Sequence, residues 1–212
     1  MSVQAIYDAV TAYDEDRVAE LVTAEIEAGT DVNAILNEGM IAALDEIGRT
    51  FSDGVVFVPE MLMAAEAVQA GLEILRPKLV ETGAKPVGTV ILGTVKGDLH
   101  DIGKNLVGMM LEGAGFRLID LGTDVDPEQF ISSAQEHEAD IVALSGLLTT
   151  SMPEMERAVA AMREANQTRN INVRTMVGGP PINPEFAERI GADAYGRDAP
   201  GAVEQARNLM KA

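Results

Sequence analysis

Cysteine is absent from the 212-residue chain, which rules out a disulfide framework, an iron–sulfur cluster, a thiolate zinc site and a cysteine nucleophile. Tryptophan is also absent and aromatics make up 4% of residues, so stacking platforms for nucleic-acid bases are poorly provided. Positive charge is scarce: 16 Lys and Arg face 34 Asp and Glu, a formal net charge of −18. Phosphate backbones and anionic lipid surfaces are held by Lys and Arg, so no nucleic acid and no membrane is expected as partner. There is no unbroken apolar run of about 18 residues and no basic start leading into a short apolar stretch with a small-residue cleavage site, which gives the expectation of a cytoplasmic protein. Histidine occurs twice, at His100 and His137. Any metal chemistry must therefore use His, Asp or Glu, or arrive inside a cofactor. What is present, 47% hydrophobic and 24% charged residues, is a globular composition long enough for one large domain or two small ones. The 11 methionines suit adaptable cores and partner surfaces, and core filling accounts for any one of them.

Up to Val80 the apolar residues recur at helical spacing. Two short helices are expected in "IYDAVTAYDEDRVAELVTAEIEAG", the second from about Asp14 and closed by Gly29. A third runs from Asp31 as N-cap to a Ser52, Asp53, Gly54 turn. A fourth has Pro59 in its first turn and Pro77 bending or breaking it near the end. Beyond "ETGAKP" (residues 81–86) the pattern changes to β-branched runs, "VGTVILGTV", "FRLIDLG", "ADIVALSG", "INVRTMVGG" and "ADAYG", alternating with amphipathic helical stretches. The fold class expected is α/β: an N-terminal helical bundle, residues 1–84, followed by a flavodoxin-like five-stranded parallel sheet domain, residues 85–212. Nothing repeats at solenoid spacing.

Ligands of such sheets bind beyond the carboxyl ends of the strands, and there this chain places its unusual residues. The first strand runs into "GTVKGDLHDIG" (93–103), the third into "SGLLTTSM" (145–152), the fourth into "VGGPP" (177–181). A phosphate loop is rejected, because residues 97–104 are one too long for GxxxxGK, continue with Asn105, and would set Asp98 and Asp101 against the phosphates. No G-x-G-x-x-G opens the following helix. A hydrolytic zinc site fails for want of nitrogen ligands, with His137 on another helix among glutamates. For His100 two readings stand: a loop histidine pinned by Asp98, or a metal ligand whose other ring N–H is given to Asp98, which fixes the tautomer and raises basicity.

"DLHDIGKN", "SGLLTTSM" and "GG" resemble the D-x-H-x-x-G, S-x-L and GG signature of cobalamin-binding domains. "GVVFVPEMLMAAEAVQAGLEILRP" is similar to the helical cap of methionine synthase and of stand-alone corrinoid proteins. The resemblance covers nearly the whole chain, with one departure at Thr150, where proline would stand. It implies that His100 replaces the cofactor's own base as the lower axial ligand of cobalt, with Asp98 and Ser151 completing a proton relay. It implies that Ser145 and Thr149 hydrogen-bond the displaced nucleotide tail, that Gly178 and Gly179 leave room for it, and that Gly93, Val95, Gly97 and Gly103 allow close backbone approach. Leu99, Asp101, Ile102 and Leu147 would pack near the ring's lower face, and Phe57, Val58, Met61 and Ala65 would cover the upper one.

The function implied is that of a corrinoid protein carrying a methyl group on cobalt, cycling between cob(I)alamin and methylcobalamin. Its partners would be a substrate:corrinoid methyltransferase, a second methyltransferase acting on tetrahydrofolate or coenzyme M, and a reductive activase. In that role the chain is a carrier subunit and not itself the catalyst. Proton uptake by the relay would assist release of His100, and "ETGAKP" would be the hinge of a moving cap. The competing readings are a cobalamin-dependent regulator or light sensor, disfavoured by the lack of a basic N-terminal helix-turn-helix and of tryptophan, a mutase subunit, and a structural flavodoxin-like module.

Overall fold

The computed structural model describes residues 2–81, 85–169 and 171–211. The chain passes from one compact unit to a second at Pro86 and Val87. Residues 82–84, which hold the expected domain boundary and the middle of the expected hinge, lie outside the described residues.

The first unit is helical. Helix α1 (Val3–Thr11) buries Ile6, Ala9 and Val10, a stripe at three- and four-residue spacing. Helix α2 (Glu15–Glu27) is capped by Asp14, whose carboxylate accepts the Arg17 N–H at 3.0 Å, and Glu15 and Asp16 oppose the positive end of its dipole. Asp31 accepts the Asn33 N–H at 3.0 Å and opens a helical run to Ser52. This run is not uniform: α3 (Val32–Ala34) widens into π-helical turns over Ile35–Ile41 before α4 (Ala42–Ser52) resumes α geometry. Hydrophobic periodicity alone does not register such a widening. Gly39 within it packs on Ile6 of α1, where a Cβ would sit 3.2 Å from Cγ2.

Helix α5 (Val58–Glu81) has Pro59 in its first turn, and the Glu60 carboxylate reaches back to accept the Phe57 N–H at 2.7 Å. Of the bending or breaking expected at Pro77, breaking does not occur; the helix continues to Glu81. Proline removes one ladder donor, and so near the end that loss is tolerated, with the Lys78–Glu81 ion pair at 2.7 Å in the last turn.

The second unit is a five-stranded, wholly parallel sheet in the order β2-β1-β3-β4-β5. Its strands are β1 (Thr89–Thr94), β2 (Arg117–Asp120), β3 (Ile141–Ser145), β4 (Arg174–Gly178) and β5 (Ala194–Gly196). All six residues of β1 are buried, as a central strand covered on both faces requires. Helices α7 (Pro127–Glu136), α8 (Met152–Thr168) and α9 (Pro184–Ile190) share one core with Ile91, Val142 and Leu144 of the sheet, centred on Phe130, Met155 and Phe186. On the other face α6 (Ile102–Gly113) lays Gly108 over Leu92 and Leu118, and α10 (Ala199–Leu209) lays Ala202 over Gly196.

Two aspartates set just before strands fix neighbouring strand starts. Asp140 accepts the Thr89 N–H at 2.7 Å, and Asp193 accepts the Thr175 N–H at 2.7 Å and its hydroxyl at 2.9 Å. Because β2 and β3 flank β1 on opposite sides, the chain leaves β1 and β3 in diverging directions, and a crevice opens beyond their carboxyl ends. No helix among the described residues is long and apolar enough to cross a membrane.

Candidate functional site

The loop between β1 and α6 carries Asp98 and His100, and the loop between β3 and α8 carries Ser151. The parallel register places Thr94 of β1 beside Ser145 of β3, so both loops leave the sheet side by side. Asp98 is the hub. Its Oδ1 accepts from His100 Nδ1 at 2.7 Å and from the His100 amide at 3.1 Å. Its Oδ2 accepts from the amides of Leu147 at 2.7 Å and Leu148 at 3.1 Å, and from the Ser151 hydroxyl at 2.9 Å. That hydroxyl also lies 2.8 Å from the Leu148 carbonyl oxygen. With one proton and two acceptors, Ser151 donates to one of them at a time.

The Asp98 side chain is 0% exposed. Burial by itself would raise its carboxyl, but the hydrogen bonds from the His100 ring, the Leu147 and His100 amides and the Ser151 hydroxyl together outweigh it and hold the group well below the usual carboxylate range. An ionised Asp98 can only accept, so His100 Nδ1 carries the proton of the bond between them, and in the neutral imidazole Nε2 presents a bare lone pair. Nε2 has no partner among the described residues, and the His100 side chain is 52% exposed. Around it Leu99 and Ile102 are 73% and 77% exposed, and Leu147 and Leu148 are also open to solvent. An imidazole with a fixed tautomer therefore stands among four uncovered apolar side chains.

This donor set is specific about what it can hold. Among the described residues no three His, Cys, Asp or Glu side chains converge on a point. His100 can supply one nitrogen, so a metal bound here must bring its other ligands with it. The apolar residues around the ring nitrogen suit a broad, flat, largely apolar partner, and a Cβ at Gly103 would meet nothing within 4 Å, leaving open space beside it. A corrinoid, which carries its cobalt in its own macrocycle, fits these residues.

The structure brings His100, Asp98, Ser151 and Leu147 together, with Leu99 and Ile102 beside them. Other expected residues have close protein neighbours of their own. Gly93 faces Phe130 of α7: a Cβ would lie 2.8 Å from two ring carbons, so its bareness serves the core. The Val95 side chain is likewise in that core, and its amide donates to the Ser145 carbonyl at 3.0 Å. At Gly178 a Cβ would come within 2.9 Å of the Gly196 carbonyl oxygen, and at Gly179, with φ +127°, it would collide with the Gly146 backbone. What these two glycines make room for here is neighbouring main chain. Gly97 has φ +79° and turns the loop.

Asp101 precedes α6, with an exposed side chain and a carbonyl that accepts the Asn105 N–H at 2.7 Å. Ser145 is half-buried and Thr149 exposed on the rim. In the helical unit Phe57 and Val58 are exposed, whereas Met61 and Ala65 are fully buried. His137 lies just past the end of α7, its amide bonded to the Ser133 carbonyl at 3.0 Å.

Two contributors were not singled out from the sequence. Thr94, fully buried at the end of β1, donates its hydroxyl to the His100 carbonyl at 2.8 Å and so orients the peptide that bears the imidazole. A hydroxyl on the last residue of a central strand was the available signal. Leu148 acts through its amide, which no side-chain pattern reports.

A model described as B12 binding domain matches residues 88–204, and a second of the same description matches residues 3–76. Trimethylamine corrinoid protein 1 of Methanosarcina acetivorans is 38% identical over 205 residues, covering 96% of this chain and 94% of that protein. Among solved structures, a cobalamin-binding protein from Desulfitobacterium hafniense superposes with a TM-score of 0.81 at 29% identity, over 99% of this chain and 98% of that one. The methanol:cobalamin methyltransferase complex MtaBC from Methanosarcina barkeri contains a chain matching with a TM-score of 0.81 at 29% identity, over 99% of this chain and 79% of that one.

Proposed function

The chain belongs to the B12-binding domain family, with a cobalamin-type corrinoid as its cofactor, and from that premise we propose that it is a methyl carrier that receives a methyl group from one methyltransferase and delivers it to another. When bound, the corrinoid supplies a cobalt that takes up and gives up the methyl group. The residues of this chain do the rest. His100 would hold the cobalt through Nε2. Asp98 keeps the proton on Nδ1 and makes Nε2 more basic. Ser151, whose hydroxyl proton has two acceptors, passes a proton toward or away from the Asp98 and His100 pair as ligation changes. Leu99, Ile102, Leu147 and Leu148 would pack against the corrinoid and exclude water, and Ser145 and Thr149 would hydrogen-bond its nucleotide portion. The observation that carries this reading is the bare Nε2, held by a buried ionised carboxylate among exposed apolar side chains.

A named trimethylamine corrinoid protein among the relatives, and the occurrence of a matching chain in a methanol:cobalamin methyltransferase complex, support a methyltransferase as the donor-side partner. On the acceptor side we place a methyltransferase acting on tetrahydrofolate or coenzyme M, with a reductive activase to recover oxidised cofactor. The test is uptake of labelled methyl by the reconstituted protein, given methanol or methylamines with the matching methyltransferase under reducing conditions. Retention of label that is lost on substituting His100 by Ala or on omitting the methyltransferase is expected. Tight adenosylcobalamin binding with no methyl retained from any donor would refute the carrier assignment.

A further inference from the structure

The segment that presents His100 is gripped from behind by one residue of the loop joining β2 to α7. Asp124 accepts the Gly97 N–H on its Oδ1 at 2.8 Å, and its own amide donates to the Asp98 carbonyl at 3.0 Å. Lys96 Nζ lies 3.9 Å from the same Oδ1. Three consecutive residues leading into the imidazole are thus held by a residue 27 positions beyond Gly97. The loop that carries Asp124 is itself fixed to the end of β1. Thr94 donates its amide to the Gly122 carbonyl at 2.9 Å and accepts the Val125 N–H at 3.0 Å, and Val95 bridges to Val125. Asp124 adopts φ +56°, in the left-handed region that a non-glycine residue occupies at a cost, so the surrounding bonds hold it there.

We propose that Asp124 is a positioning residue for His100: its carboxylate fixes the Gly97 peptide, this sets where the Asp98 side chain stands, and Asp98 in turn sets the tautomer and direction of the imidazole. The proposal rests on the assignment of His100 as axial ligand. A one-residue link of this kind would transmit any displacement of the β2–α7 loop to the ligand, so that loop is a control point for ligation.

The substitution Asp124→Gly removes the carboxylate while keeping the amide bond to Asp98 and relaxing the left-handed backbone. Asp124→Asn keeps an acceptor oxygen and tolerates left-handed φ. The full chain and both variants, carrying nitrogen-15-labelled histidine, are reconstituted with hydroxocobalamin, reduced to the Co(II) state, and read by the nitrogen superhyperfine splitting of the electron paramagnetic resonance signal, a doublet from the labelled histidine and a triplet from the cofactor's own base, with His100→Ala as the reference without histidine ligation. Wild type and Asp124→Asn are expected to be histidine-ligated, and Asp124→Gly to shift the ligated-to-unligated ratio by about tenfold, the scale of one lost hydrogen bond to a charged group. Wild-type splitting in Asp124→Gly, or equal loss in Asp124→Asn, overturns the proposal.

If wild type itself matches His100→Ala, the ligand assignment fails. Asp124 is then judged on the ligand-free protein by the nitrogen-15 spectrum of its two histidines, with His137 as internal reference. A fall in the Nδ1–H tautomer of His100 in Asp124→Gly alone supports the positioning role, and no change overturns it.

Discussion

Replacing Asp98 by asparagine should reverse the tautomer of His100. The side chains have the same shape, but the amide has one acceptor where the carboxylate has two. The oxygen must go to the Oδ2 position, because the Leu147 and Leu148 amides, at 2.7 Å and 3.1 Å, belong to the backbone and cannot turn away. The NH2 group then faces His100, whose amide at 3.1 Å is a donor and whose Nδ1 at 2.7 Å can pair only by accepting. The imidazole proton moves to Nε2, the nitrogen that points to solvent. Wild type holds the opposite tautomer by a charge-assisted bond worth about 1.5–3 kcal/mol, so the ratio of tautomers should change by about 10- to 150-fold. The measurement is nitrogen-15 NMR of histidine in the ligand-free protein, where His137 should not respond. An Asp98→Asn protein in which His100 remains protonated at Nδ1 would refute this reasoning, whatever its activity.

His100→Ala should leave a folded apoprotein destabilised by about 1.5–3 kcal/mol, the scale of the one charge-assisted bond its half-exposed ring gives to buried Asp98; an apoprotein that no longer unfolds cooperatively in calorimetry would show a larger structural role. Because the Asp98 carboxyl lies below its unfolded value of about 3.9, the unfolded chain binds the extra proton, and its contribution is fully present above that value and lost as pH falls through the folded one. The stability gap between wild type and Asp98→Asn in urea titrations should therefore stay level from about pH 5 to pH 8 and narrow below about pH 4. Gly93→Ala should cost about 1–3 kcal/mol by overpacking against Phe130, and much less when combined with Phe130→Leu; additive costs would contradict the contact. The pair Lys104 and Asp120 is unequal, with side chains 2% and 39% exposed. Asp120→Ala, which leaves a buried cation with only Asn105 as acceptor among the described residues, should cost about 3 kcal/mol, whereas Lys104→Met should cost about 1 kcal/mol or less; the reverse order in denaturant melts would refute the account.

Much of the fold was legible because its signals are local. Asp31 reads as an N-cap and is one, the second helix starts at Asp14 as its spacing indicates, and the five β-branched runs hold the five strands. Whether Pro77 breaks its helix is not legible in the sequence because the penalty of a proline depends on how many turns follow it, and the π-helical turns of Ile35–Ile41 are invisible there because they alter periodicity by a single residue. At the site, Asp98 and His100 could be paired from the sequence, two residues apart. The Leu147 and Leu148 amides and Asp124 could not, since each reaches the loop from beside another strand whose neighbourhood is set by topology, and Thr94 could not because the turn that brings the His100 carbonyl back to it, six residues on, has no side-chain pattern of its own. The glycines show the same limit. A sequence says that a side chain is missing, and Gly93 and Gly179 show that only the neighbours say what takes its place.

By itself, then, the sequence determined the elements, their alternation and the chemistry available: one loop imidazole with an aspartate two residues before it, and a surplus of negative charge that turns away polyanions. Those properties depend on residue type and short spacing. Only the tertiary structure decided the state of that chemistry. It buried Asp98, surrounded it with donors from a second loop, and so kept it ionised and the His100 lone pair outward. The physical reason is that a proton's position depends on every donor within about 3 Å, and in a parallel sheet those donors come from strands far apart in the chain.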